Sequence, residues 1–208
     1  MANDSLTRDR ALRKGRAALL IVDVQNATFN AAQQASRPEF HHAAETRVLP
    51  NLVRLLAACR AAGLEVIYTV IENATADGRD RSLDYKLSNF FIARGSWEAQ
   101  VLAMIAPGPD DLVLPKTSSS LFNSTNLDYL LRNIGIEDLI VTGFLTDQCI
   151  DHTVKDGADR GYYVTCVPDA CMADTEARHA AALQCFAGYC RMLDSDSTVK
   201  NIKEAALF

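Results

Sequence analysis

No apolar run in the sequence approaches the ~20 residues of a membrane span, so no spanning helix and no membrane partner are expected. There is no excess of basic residues either. The formal net charge of −5 argues against a nucleic-acid partner, which would normally leave a basic stripe. The six cysteines, Cys59, Cys149, Cys166, Cys171, Cys185 and Cys190, contain no C-x-x-C pair, so neither a zinc ribbon nor a small secreted scaffold fits. The opening MANDSLTRDRALRKGRAALL has charges but no apolar core followed by a small-residue cleavage site. A polar lead-in, reduced thiols and a cytoplasmic location are the expectation. No G-x-G-x-x-G follows the first apolar run, which disfavours a dinucleotide-binding oxidoreductase. With no internal repeat, low-complexity tract or Pro/Gly linker, the 208 residues fit one domain, residues 1–208.

Short apolar runs rich in branched residues are present instead, and most are followed by a helical pattern. AALLIV (17–22), LEVIYTVI (64–71), DLVL (111–114), DLIVTG (138–143) and YYVTCV (162–167) read as strands, with a weaker one near 190–194. They do not alternate cleanly, as expected for parallel strands buried on both faces. Residues 44–62 have helical spacing up to Gly63, and 126–134, 147–160 and 175–190 read as further helices. Strand–helix alternation predicts an α/β three-layer sandwich with right-handed crossovers. Residues 72–96 form the longest irregular stretch, of the kind that is functional or mobile, and the tail after Asp194 is polar before it ends in AALF.

In an open α/β sheet, ligands bind beyond the carboxyl ends of the strands. Three chemically able residues fall there: Asp23 after LLIV, Lys116 at the end of LVLPK, and Cys149 in GFLTDQCID. Strands ~4.8 Å apart let a lysine stem reach a carboxylate on a neighbour. Alone, each has a plainer role: Asp23 as a turn or cap residue, Lys116 as surface charge, Cys149 as a small buried hydrophobe. Their shared rim favours chemistry. Thr146 or Asp147 is placed to cap the next helix, leaving Cys149 in its first turn, where N–H groups and the dipole favour a thiolate. Asp147 opposes that, so Lys116 is the expected positive partner. The four histidines are His41, His42, His152 and His179, and none is well placed to take the thiol proton.

LLIVDVQNATF, LPKTSSSLF and GFLTDQCIDHTVKDGADRGYYVTCVPDAC together resemble the isochorismatase-like cysteine hydrolases, over roughly residues 15–193. The resemblance implies a Rossmann-like six-stranded parallel sheet, order 3-2-1-4-5-6, in homodimers or homotetramers. It implies an Asp23–Lys116–Cys149 triad, a cis peptide at Phe144–Leu145, and an oxyanion hole from the N–H groups of Leu145 and Cys149. Asp23 would take the thiol proton, and the sulfur would attack an amide or ureide carbonyl through a covalent intermediate. Nicotinamidases bear metal-ligating histidines after the second strand. Here TVIENATADGRDRSL has none, so no metal and no cofactor are expected.

Within the family the loop and the flanking motifs look closest to ureidoacrylate and biuret-type amidohydrolases. By that match Gln25, Asn73, Tyr85 and Lys86 would contact a small planar substrate, while Phe29, Trp97 and Phe122 would wall the pocket. The plainer role for the aromatics is core packing, and for Arg79 and Arg81 a solvated loop. The competing functions are a vinyl-ether hydrolase of the isochorismatase type, a nicotinamidase, and a non-catalytic binding protein on the same fold. A cysteine in its motif counts against the first, and an intact triad against the last.

Overall fold

The computed structural model describes residues 6–207. Ala17–Val22 forms β1 and every residue of it is buried, because it is the central strand with a parallel neighbour on each side. Its side chains alternate between two cores. Leu19 and Ile21 enter one, Ala18, Leu20 and Val22 the other, which is why the run shows no polar face.

The chain continues through α1 (Pro38–Ala43), a π turn (Ala44–Val48) and α2 (Leu49–Ala62). The helix expected from residue 44 therefore starts earlier, with Pro38 at its first position, where a missing N–H costs nothing. Gly63, at φ 68°, ends it in the left-handed conformation. β2 (Glu65–Ile71) follows, then α3 (Leu83–Leu87) inside the segment read as irregular. β3 (Leu112–Lys116), α4 (Leu121–Ser124), α5 (Leu127–Ile134) and β4 (Asp138–Phe144) come next. A second π turn, Thr146–Ile150, leads into α6 (Asp151–Asp159). β5 (Tyr163–Met172), α7 (Glu176–Phe186), β6 (Arg191–Met192) and α8 (Ser195–Ala205) complete the chain.

The six strands form one parallel sheet, order β3-β2-β1-β4-β5-β6, as the family resemblance implies. β5 outlasts its expected end at residue 167. Its pairing with β4 breaks between Val141 and Gly143 and resumes at Gly143↔Cys171, passing Pro168, which has no N–H to give. The polar tail is another departure. Asp194 accepts from the N–H of Ser197 at 2.7 Å and starts α8, whose Ile202 and Ala205 join the core that α2 fills.

The strand order reverses between β1 and β4, so the crevice of a doubly wound sheet opens there. Registers align its rim: Val22 sits level with Thr69 and Gly143, and Ile71 with Lys116. Gly143, at φ 115°, lies so close to β1 that a Cβ would stand 2.2 Å from the carbonyl oxygen of Val22. Only glycine fits there.

Candidate active site

Asp23 is the first residue past β1 and takes φ 55°, a left-handed conformation that aspartate tolerates better than most residues. It is held at every polar group but one. Its N–H donates to the Thr69 carbonyl at 3.0 Å, its carbonyl accepts from the Thr28 hydroxyl at 2.6 Å, and Oδ1 accepts from the Thr69 hydroxyl at 2.9 Å. Oδ2 faces Lys116 Nζ at 2.9 Å without a well-angled hydrogen bond, so it keeps a free lone pair for a proton.

Lys116 is completely buried, contrary to its plain reading as surface charge. Its ammonium donates to the Ser118 carbonyl at 2.8 Å, and to Cys149 Sγ and the Tyr85 hydroxyl at 3.3 Å each. Burial alone would lower the lysine, but Asp23, Cys149 and Tyr85 outweigh it and raise the ammonium above its ordinary value. The lysine therefore stays charged. Tyr85 is raised too, chiefly by burial, and remains a neutral phenol.

Cys149 lies in the second π turn, 3% exposed. Widened turns of this kind are frequent at functional sites. Neither Thr146 nor Asp147 caps it; the N-cap position is Leu145, with no side-chain bond. The Thr146 hydroxyl is instead 2.7 Å from Nδ1 of His179, and Asp147 pairs with Arg178 at 2.5 Å. Below, the Thr153 hydroxyl donates to the Cys149 carbonyl at 2.5 Å. The expectation of a ready thiolate is corrected as well. Burial pushes the thiol up to about 12; Lys116 pulls it down, but Asp23 adds to the rise. At rest the sulfur is protonated beside a carboxylate that can take its proton. Phe144–Leu145 is a cis peptide, at the position the resemblance implied.

Asp23 and Cys149 reach a 280 Å³ cavity, just under the usual range for small-molecule sites, while the buried Lys116 lies outside its lining. Asp23, Tyr85, Leu145 and Cys149 line it, as the sequence suggested. The other proposed contacts lie elsewhere. Gln25 is spent on the backbone: its amide donates to the Ile71 and Glu98 carbonyls at 3.0 Å each and accepts from the Ile71 N–H at 2.6 Å. Asn73 is buried away from the cavity lining. Lys86 is exposed because α3 turns Tyr85 inward, and a residue one position on points away. Phe29 stacks on His41 at 4.5 Å between ring centroids, Phe122 packs in the core against Tyr162, and Trp97 is 56% exposed. Arg81 braces its loop rather than standing in solvent, donating to the Gly78 and Phe90 carbonyls at 2.9 Å each.

Sequence reasoning passed over Gln33, Arg37, Asp84, Ser88, Phe90 and Asp174, all of which line the cavity. A signal existed for two of them. Ser88 lies three residues beyond Tyr85, nearly one helical turn, so an inward tyrosine implies it. Asp174 follows β5, on the same rim rule that found Asp23. Among the described residues no cluster of three metal-binding side chains occurs, and no helix is long and apolar enough to cross a membrane.

Residues 17–197 match the isochorismatase domain family. A ureidoacrylate amidohydrolase of Pantoea ananatis is 33% identical over 171 residues, covering 74% of this chain and 68% of that protein. Its counterpart in Pseudomonas syringae pv. syringae is 30% identical over 210 residues, with 90% and 84% covered. Among solved structures, a cysteine hydrolase from Pseudomonas syringae pv. phaseolicola superposes with a TM-score of 0.82 at 25% identity, covering 97% of this chain and 99% of that one. N-carbamoylsarcosine amidase from Thermoplasma acidophilum gives a TM-score of 0.72 at 25% identity, with 87% and 97% covered.

Proposed function

The chain belongs to the isochorismatase family and is a hydrolase of carbon–nitrogen bonds other than peptide bonds, and from that premise we propose a cysteine-dependent mechanism for it. The substrate is a small amide, ureide or carbamoyl compound, ureidoacrylate- or biuret-like. One observation carries this reading: a buried ammonium stands 2.9 Å from a carboxylate and 3.3 Å from a thiol, both of which line a cavity.

Asp23 Oδ2 takes the thiol proton as the sulfur attacks the substrate carbonyl. Lys116 stays protonated throughout and offsets first the carboxylate, then the thiolate. The carbonyl oxygen becomes an oxyanion held by the N–H groups of Leu145 and Cys149. Collapse breaks the C–N bond, and Asp23 hands its proton to the departing ammonia or amine. A thioester or thiocarbamate on Cys149 remains. Water then adds to it with Asp23 as base, and the sulfur leaves as the thiol. Every step uses side chains and backbone N–H groups of this chain together with water, and calls on no metal or cofactor. The segment after β2, which lacks histidine, supports that and disfavours a nicotinamidase-type site. A vinyl-ether hydrolase would have no need of a thiol beside its base, so the position of Cys149 favours acyl transfer.

Assembly into dimers or tetramers is part of the same proposal. Leu83 and Leu87 support it, apolar residues 72% and 78% exposed on the helix that walls the cavity.

The test is to quench turnover with acid and weigh the intact protein. A mass increase on Cys149 equal to the substrate's acyl or carbamoyl group is expected, together with no turnover by Cys149→Ala. Undiminished turnover by that variant would overturn the mechanism.

A further inference from the structure

Two neighbouring residues of α7 grip two neighbouring residues of the turn that carries the nucleophile. Arg178 pairs with Asp147 Oδ2 through Nε at 2.6 Å and Nη2 at 2.5 Å. Nδ1 of His179 lies 2.7 Å from the Thr146 hydroxyl. Thr146 is completely buried and His179 nearly so, which seals this contact from water. α7 is itself anchored. Its Glu176 N–H donates to Glu39 Oε2 at 2.9 Å, and Arg47 lies 3.0 Å from the Glu176 carboxylate. No step of the mechanism calls on His179.

Burial chiefly, and Arg47 after it, lower His179 below its ordinary value; Glu176 and Asp147 raise it, but by less. The ring is therefore neutral. A hydrogen on Nδ1 would leave the hydroxyl's own hydrogen without an acceptor among the described residues. The Thr146 hydroxyl accordingly donates, and Nδ1 accepts.

That bond keeps the hydroxyl from another place. A threonine at a helix start commonly turns its oxygen onto the N–H three residues on, which from Thr146 is that of Cys149. Here the turn is widened instead. The Leu145 carbonyl accepts from the N–H groups of Gln148 at 3.0 Å and Ile150 at 3.2 Å, and that of Cys149, between them, is not among its donors. In the proposed mechanism the Cys149 N–H is one of the two that hold the oxyanion. We propose that His179 is a positioning residue: by engaging the Thr146 hydroxyl it stops the turn from closing into a self-capped helix start, and so keeps the Cys149 N–H for the substrate. This role rests on the amidohydrolase reading and adds a residue to it. Arg178, on Asp147, braces the same turn from its exposed side.

Two thiol reagents separate this role from general support of the fold. With p-nitrophenyl acetate the sulfur attacks the ester carbonyl, passes through an oxyanion and expels p-nitrophenolate. With iodoacetamide it displaces iodide at a saturated carbon and needs no oxyanion hole. Both are read at Cys149 by peptide mass, because Cys185 is exposed and reacts as well. His179→Leu should slow acylation of Cys149 about a hundredfold, the effect of losing one oxyanion donor, and leave alkylation nearly unchanged. His179→Asn, whose amide oxygen stands where Nδ1 stood, should restore acylation. Adding Thr146→Val to His179→Leu removes the hydroxyl that would cap Cys149 and should return most of the lost rate. With both partners apolar, that double variant also leaves no buried polar group unpaired. Circular dichroism checks that each variant is folded. An unchanged acylation rate in His179→Leu, or a double variant no faster than His179→Leu, overturns the proposal. So does an equal fall in both reactions, which would place the effect on the sulfur or the fold. Wild-type protein that supports this series yet releases no ammonia from ureidoacrylate or biuret would overturn the amidohydrolase reading alone.

Discussion

The Thr69 hydroxyl, on β2, donates a 2.9 Å hydrogen bond to Oδ1 of Asp23, on the end of β1. That bond occupies one carboxylate oxygen and leaves the other to face Lys116. It fixes which oxygen can act as base. Thr69→Val keeps the shape, removes the donor, and leaves a buried acceptor unpaired. A stability loss of about 1–3 kcal/mol is expected from thermal unfolding. In kinetics kcat should fall more than KM changes, because the proposed base is needed for chemistry rather than for grip.

The thiol raised to about 12 makes Cys149 slow to alkylate at neutral pH. Reactivity follows the thiolate fraction, so the iodoacetamide rate should climb about tenfold per pH unit between pH 7 and pH 10, without a plateau. Asp23 raises the thiol and Lys116 lowers it. Asp23→Asn should therefore alkylate faster than wild type while losing turnover, and Lys116→Met should alkylate more slowly. Slower alkylation of Asp23→Asn would mean that the carboxylate does not act on the sulfur.

The Asp23–Lys116 pair is completely buried, and each charge is tolerable because of the other. Removing one partner strands its mate, at a cost of about 3–5 kcal/mol. Asp23→Asn combined with Lys116→Met should be more stable than either single variant, as read from urea midpoints. Additive losses would show that the two charges are not coupled.

Gly143→Ala would place a methyl group 2.2 Å from the Val22 carbonyl oxygen. A loss of about 4 kcal/mol or more, or failure to fold, is expected. Gly188 has open space around its α-carbon, so Gly188→Ala should stay within about 1 kcal/mol of wild type and serves as the control.

The sheet and the three groups at its rim were legible because both follow from short-range rules. Branched apolar runs become parallel strands, and polar residues just past them reach the crevice. The rest of the cavity was not, because side-chain direction depends on what each loop packs against. Gln25 lies two residues beyond Asp23, yet its amide is consumed joining β1's exit to β2 and the Glu98 segment. Trp97 and Lys86 turn outward, and Phe122 fills the core beneath α6 rather than the pocket. The resting state of the sulfur was misjudged for a related reason. Burial, which no spacing pattern reports, outweighs the lysine beside it. α8 was within reach, since Asp194 is a good cap and Val199, Ile202 and Ala205 recur at helical spacing.

The sulfur and the two groups beside it come from separate strands: Asp23 follows β1, Lys116 ends β3 at the sheet's edge, and Cys149 follows β4. β3 joins the sheet only through β2, which also supplies Thr69. Under the proposed mechanism no fragment of the chain therefore carries the complete chemistry. A chain with β1 and β4 paired but β3 undocked holds acid and thiol without the cation that lets both be charged in turn. By that mechanism activity is a certificate of finished assembly, and a half-built molecule is an inert one.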